Sequence, residues 1–134
     1  MKSKRVKVVI ALGSNVQQQY HIDFAKICLE ATFDDMTFSK SIWTNPIGLS
    51  SDKFLNVLGV GYTNVNQERT VQALKNIERK CGRKVAASRK GVIAIDVDLM
   101  LFDTERFHEQ DWNRGYMKRL LSQMGISSKN EADA

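Results

Sequence analysis

The spacing of apolar residues along this chain alternates between the two-residue period of a strand and the three-to-four-residue period of a helix. The stretch 5–12, apolar from Val8 to Leu12 and closed by the turn-forming triplet Gly13-Ser14-Asn15, predicts a first strand. Phe24, Ile27, Cys28 and Ala31 then fall at i, i+3, i+4 and i+7. They predict a helix over 20–33 with that face buried, ended by Asp34-Asp35. Alternation at Met36, Phe38 and Ile42 predicts a second strand over 36–44, and residues 54–63 read as a third. Between them, 45–51 is a loop holding the only proline. Asn66 as N-cap, the stripe Val71, Leu74, Ile77 and Cys81, and then Gly82 define a second helix over 67–81. A basic loop over 83–90, a fourth strand over 91–102 and a short helix near 113–124 follow. The polar stretch 127–134 reads as a disordered tail.

The resulting order, β-α-β-β-α-β, is the ferredoxin-like arrangement of an α+β fold, an antiparallel sheet with helices packed on one face. A chain of 134 residues suits one domain, expected over 1–126. Hydrophobic residues at 43% and charged residues at 26% are those of a soluble globular protein. The apolar run after the basic start is too short for a signal peptide, and no run reaches transmembrane length. Cys28 and Cys81 fall in predicted helices without metal-ligand spacing, so reduced thiols and a cytoplasmic, membrane-free protein are expected, a monomer or weak dimer. The net charge of +5 points to an anionic partner. No arginine-rich run interleaved with aromatics accompanies it, which argues against nucleic acid.

Chemistry concentrates in Ile95-Asp96-Val97-Asp98-Leu99-Met100. Strand alternation puts Asp96 and Asp98 on one face, about 6.6 Å apart along the strand. Two like charges so placed either face water or share a cation. Mg²⁺ carried with a phosphate ligand suits the second case, because it binds through one or two carboxylates plus phosphate oxygens.

Further motifs accompany the pair. Ala11-Leu12-Gly13-Ser14-Asn15 closes the first strand, and Thr44-Asn45-Pro46-Ile47-Gly48 precedes Phe54-Leu55-Asn56. Ile77-Glu78 and Gly82-Arg83 end the second helix. Asp96-x-Asp98-Leu99-Met100-Leu101-Phe102 and Asn113-Arg114-Gly115-Tyr116-Met117 complete the set. In this order the motifs resemble the 6-hydroxymethyl-7,8-dihydropterin pyrophosphokinase family over about residues 6–117. The resemblance implies transfer of pyrophosphate from ATP to the pterin hydroxymethyl group, with release of AMP. It implies Mg²⁺ held by Asp96 and Asp98, with Arg83 beside them as a catalytic residue. Glu78, Arg89, Lys90, His108 and Arg114 fall on the ATP side. Thr44, Ile47, Phe54, Asn56 and Tyr116 fall on the reduced-pterin side, the two aromatics sandwiching the ring. By themselves, Phe54 also reads as core and His108 as an exposed loop residue.

The chain departs from the family at charged positions. The family's Gly-Pro-Arg before the first aspartate is Gly91-Val92-Ile93 here, its second loop arginine is Val85, and an aromatic is Lys90. Loss of such an arginine costs several orders of magnitude in related chemistry, and lysines replace its bidentate fork only in part. Two expectations follow: a working, divergent pyrophosphokinase, or a non-catalytic relative that binds a pterin or nucleotide.

Overall fold

The computed structural model describes residues 4–46, 52–84, 87 and 90–129. Its strands are β1 (Val6–Ser14), β2 (Asp34–Phe38), β3 (Ile42–Thr44), β4 (Phe54–Thr63), β5 (Asp96–Phe102) and β6 (Glu105–Arg106). They form one antiparallel sheet in the order β2-β4-β1-β5-β6, with β3 also paired to β4. The helices are α1 (Gln18–Thr32), α2 (Gln67–Lys80), α3 (Glu109–Trp112) and α4 (Gly115–Gln123). This is the expected α+β, ferredoxin-like order, and none of these helices is long and apolar enough to cross a membrane.

Period-two alternation in the central strand sets the layers. Val8, Ile10 and Leu12 point to the face covered by α1 and α2, joined there by Leu55, Val57, Val97 and Leu99. The intervening Val9 and Ala11 point to the other face, with Leu58, Val60 and Met100. That second face is covered by Trp112 of α3 and by Met117, Leu120 and Leu121 of α4. The two helices of the βαββαβ order thus share one side, and the C-terminal helices close the opposite one.

The termini of α2 match their sequence signals. The Asn66 side chain accepts the Arg69 N–H at 2.9 Å, and Gly82 takes φ +84° beyond the end. Elsewhere the structure corrects the sequence reading. The predicted α1 face is right only in part: Phe24 and Cys28 pack at the edge of the core, but Ile22, Ala25 and Leu29 fill it and Ile27 is 66% exposed. The helix carries apolar residues on two sides, so periodicity alone does not choose between them. The strand expected over 36–44 breaks at Ser39, whose hydroxyl accepts the Leu58 N–H at 2.9 Å in place of a ladder carbonyl. One extra residue is accommodated there, since Phe38 pairs with Gly59 but Ile42 with Asn56. The fourth strand starts at Asp96 rather than Gly91.

The polar tail is held at its start. Arg106 lies over the Trp112 ring at 3.9 Å and donates to the carbonyls of Ser127, Ser128 and Lys129. Residues 130–134 lie outside the described residues.

Candidate functional site

A row of side chains across the sheet builds the site. Gly13 of β1 stands opposite Asn56 of β4 on one side and Asp96 of β5 on the other. Two residues back, Ala11 stands between Leu58 and Asp98. Neighbouring strands lie about 4.8 Å apart, so Asp96 and Asn56 are separated by roughly 10 Å. Gly13 and Ala11 project almost nothing into that gap.

The gap is a cavity of about 220 Å³. Thr44, Phe54 and Asn56 line one wall, Asp96 and Asp98 the other, and Tyr116, Met117 and Leu120 of α4 close it. A Cβ on Gly13 would stand 3.5 Å from both Asn56 Oδ1 and a Phe54 ring carbon, so the glycine keeps the floor open. Asn56 is 7% exposed, and its amide nitrogen donates to Thr44 Oγ1 at 2.8 Å and Ile42 O at 3.1 Å. Those bonds fix the amide plane with its oxygen turned over Gly13. Phe54, at the start of β4, is half-buried at this cavity rather than spent in the core.

A second cleft, about 300 Å³, opens on the outer edge of β5 and is lined by Lys75, Glu78, Arg83 and His108. Asp96 and Asp98 line both spaces and so form the partition between them. Glu78 Oε2 accepts the Val97 N–H at 2.8 Å and an Arg83 N–H at 2.9 Å. The same Arg83 nitrogen pairs with Asp96, so the guanidinium bridges two carboxylates. Glu78, expected to face ATP, thus has one oxygen engaged in holding the strand edge and Arg83.

The carboxylates, expected on an exposed strand face, are half-buried. Burial pushes Asp98 up to about 6, helped by the Asp96 charge, opposed by His108, and helped again by Glu78 and Asp111. Asp96 is also raised by burial, although Arg83 pulls it down. Arg83 offsets part of the charge of this half-buried carboxylate pair, and two carboxylates are a donor set that a hard cation can take alongside phosphate oxygens.

Other expected residues lie elsewhere. Arg114 lines neither space; its Nε donates to Asp111 Oδ1 at 2.8 Å, which raises its pKa. Lys90 is exposed and lines neither space. Ile47 and Arg89 fall outside the described residues. Asp111 was not foreseen; it lines the cavity as a third carboxylate, and its only sequence signal is its place three residues before Arg114. Burial, then Asp111, raises the Tyr116 hydroxyl, which stays protonated at neutral pH.

Known proteins share this chain's pattern. The family model for 7,8-dihydro-6-hydroxymethylpterin-pyrophosphokinase matches residues 9–125. A folate synthesis bifunctional protein of Chlamydia caviae is 25% identical over 112 residues, which cover 78% of this chain and 25% of that protein. One from Arabidopsis thaliana is 26% identical over 122 residues, covering 83% of this chain and 25% of that protein. The chain thus spans about a quarter of the length of each.

Proposed function

Because the chain belongs to the 7,8-dihydro-6-hydroxymethylpterin-pyrophosphokinase family, we propose that it transfers the pyrophosphoryl group of ATP to a reduced hydroxymethylpterin and releases AMP. One observation carries the reading: a ring-sized cavity and a second cleft meet at the two carboxylates of Asp96 and Asp98. A two-substrate transfer needs that adjacency, because bringing reactants together supplies much of the rate of such reactions.

In this reading the pterin lies over Gly13, between Phe54 and Tyr116. Asn56 reads the ring edge with its carbonyl, while Thr44 and Ile42 hold the amide. ATP enters from the cleft of Lys75, Arg83 and His108. Asp96 and Asp98 would hold Mg²⁺, which would neutralise triphosphate charge. Arg83, bridged between Glu78 and Asp96, stands where it would reach phosphate oxygens, and Glu78 would keep the guanidinium there. The pterin hydroxymethyl oxygen forms a bond to the β-phosphorus, the bond from that phosphorus to the AMP oxygen breaks, and the hydroxyl proton passes to solvent.

The experiment is AMP release from ATP, Mg²⁺ and the reduced pterin, with pterin-free and Mg²⁺-free controls. AMP formed only when all three are present supports the reading. Binding of both ligands with no AMP supports the second reading, a binding protein without turnover, which the apolar Ile93 and Val85 at family arginine positions favour. Binding of neither ligand sinks both.

A further inference from the structure

Asn15 lines neither space, yet it is only 4% exposed and engaged with a distant part of the chain. Its Nδ2 donates to Gly91 O at 2.5 Å and its Oδ1 accepts the Ile93 N–H at 2.6 Å. Its own N–H donates to Ile93 O at 3.0 Å. Three bonds thus tie one residue of the β1–α1 turn to the segment leading into Asp96. All three go to main-chain atoms of Gly91 and Ile93, so the clamp does not depend on which side chain stands at position 93.

The turn that carries Asn15 is itself braced. Ser14 is fully buried and its hydroxyl donates to Val16 O at 3.0 Å, while His21 Nδ1 lies 2.6 Å from the same oxygen. From the start of α1, Gln18 Nε2 donates to Lys53 O at 3.0 Å, just before Phe54. One turn therefore holds the chain on the approach to both cavity walls, at Lys53 before Phe54 and at 91–93 before Asp96.

We propose that Asn15 is a positioning residue for the carboxylate wall, fixing residues 91–93 so that β5 presents Asp96 and Asp98 across Gly13. The proposal rests on the pyrophosphokinase reading for its functional consequence, while the clamp stands on the hydrogen bonds. Without Asn15 the segment must be ordered when nucleotide binds, and that entropic cost weakens binding. The pterin wall of Phe54, Asn56 and Tyr116 is untouched.

The test compares wild type with Asn15→Ala, Asn15→Ser and Asn15→Asp. Three measurements are made: hydrogen exchange at 91–95, Mg²⁺-dependent affinity for a non-hydrolysable ATP analogue, and affinity for the reduced pterin. In Asn15→Ala, exchange at 91–95 should quicken at least tenfold and nucleotide affinity fall at least tenfold, with pterin affinity within twofold of wild type. Asn15→Asp keeps the acceptor for the Ile93 N–H and should recover part of the protection. If the alanine variant does not fold, the serine variant carries the same comparison. Wild-type exchange at 91–95, or faster exchange with wild-type nucleotide affinity, overturns the proposal. Equal loss of both affinities in a folded variant also overturns it, since a merely structural role would act on both walls. Absence of AMP release by the wild type sinks the pyrophosphokinase reading instead, and leaves the exchange and binding comparisons readable.

Discussion

The cavity and the cleft share two carboxylates, yet they are made by different means. The cavity is a consequence of strand register: a glycine and an alanine sit between long side chains, with a helix across the top. The cleft depends on ionic contacts at a sheet edge, with Arg83 shared between Glu78 and Asp96. A register-built site exists whenever the sheet exists. An ion-built site rearranges with what it binds, because each partner can exchange one charge for another.

The sharpest way to break this contrast is to remove the shared wall. Asp96→Ala and Asp98→Ala should each abolish Mg²⁺-dependent nucleotide binding, a loss of at least a hundredfold by calorimetry, while the folded protein keeps its affinity for the pterin. Unchanged nucleotide affinity in both would remove the metal from the site.

On the register-built side, Asn56→Leu strips the amide from the ring edge and leaves the Thr44 hydroxyl without its donor. Pterin affinity should fall by about 2 kcal/mol, roughly thirtyfold. Nucleotide affinity should stay within twofold, and a matching loss on that side would mean the two spaces are one.

A smaller change is expected from adding charge to the cleft. Ile93→Arg with Val85→Arg should raise AMP formation about tenfold if the missing arginines limit the rate. No change in kcat would show that the arginines missing at these two positions do not limit the rate.

The mildest effect concerns stability. Asp98 titrates at about 6 in the folded protein, against an ordinary carboxyl near 3.8. Between those values the folded state holds more protons than the unfolded chain, so the free protein loses stability as pH rises from about 4 to 6. Asp98→Asn should flatten that slope, leaving the part due to Asp96, and raise the neutral-pH Tm by a few degrees, seen in thermal melts from pH 4 to 7. A wild-type melt independent of pH over that range would refute the shift. Nucleotide affinity in Mg²⁺ should rise over the same interval, because the cation needs the ionised pair.

How far the sequence revealed this follows from the same contrast. Strand β4 and helix α2 were legible because their local signals suffice: β-formers such as Val57 and Val60 in a largely apolar stretch, an Asn cap and a terminal glycine. The Asp96–Asp98 face was legible from alternation. The break at Ser39 was hidden, because it depends on a hydroxyl replacing a carbonyl on a strand 19 residues away. The α1 face was read only in part, because two apolar stripes compete and only the sheet decides. Asn15 looked like an ordinary turn residue, since its partners lie 76 and 78 residues further on. Asp111 escaped because nothing local marks a carboxylate that folding turns toward two others.

The outer edge of β5 carries one further consequence. Among the described residues, strand β6 pairs with Leu101 and Phe102 only, which leaves the stretch from Asp96 to Met100 without a neighbouring strand on that side. Such an edge is a template on which a strand from another molecule can grow. Here Glu78 occupies the Val97 N–H, Phe107 N–H occupies the Met100 carbonyl, and two carboxylates flank the rest. Charge along a sheet edge disfavours such pairing, so variants that neutralise Asp96 and Asp98 are expected to associate more readily, seen as a rise in light scattering with concentration.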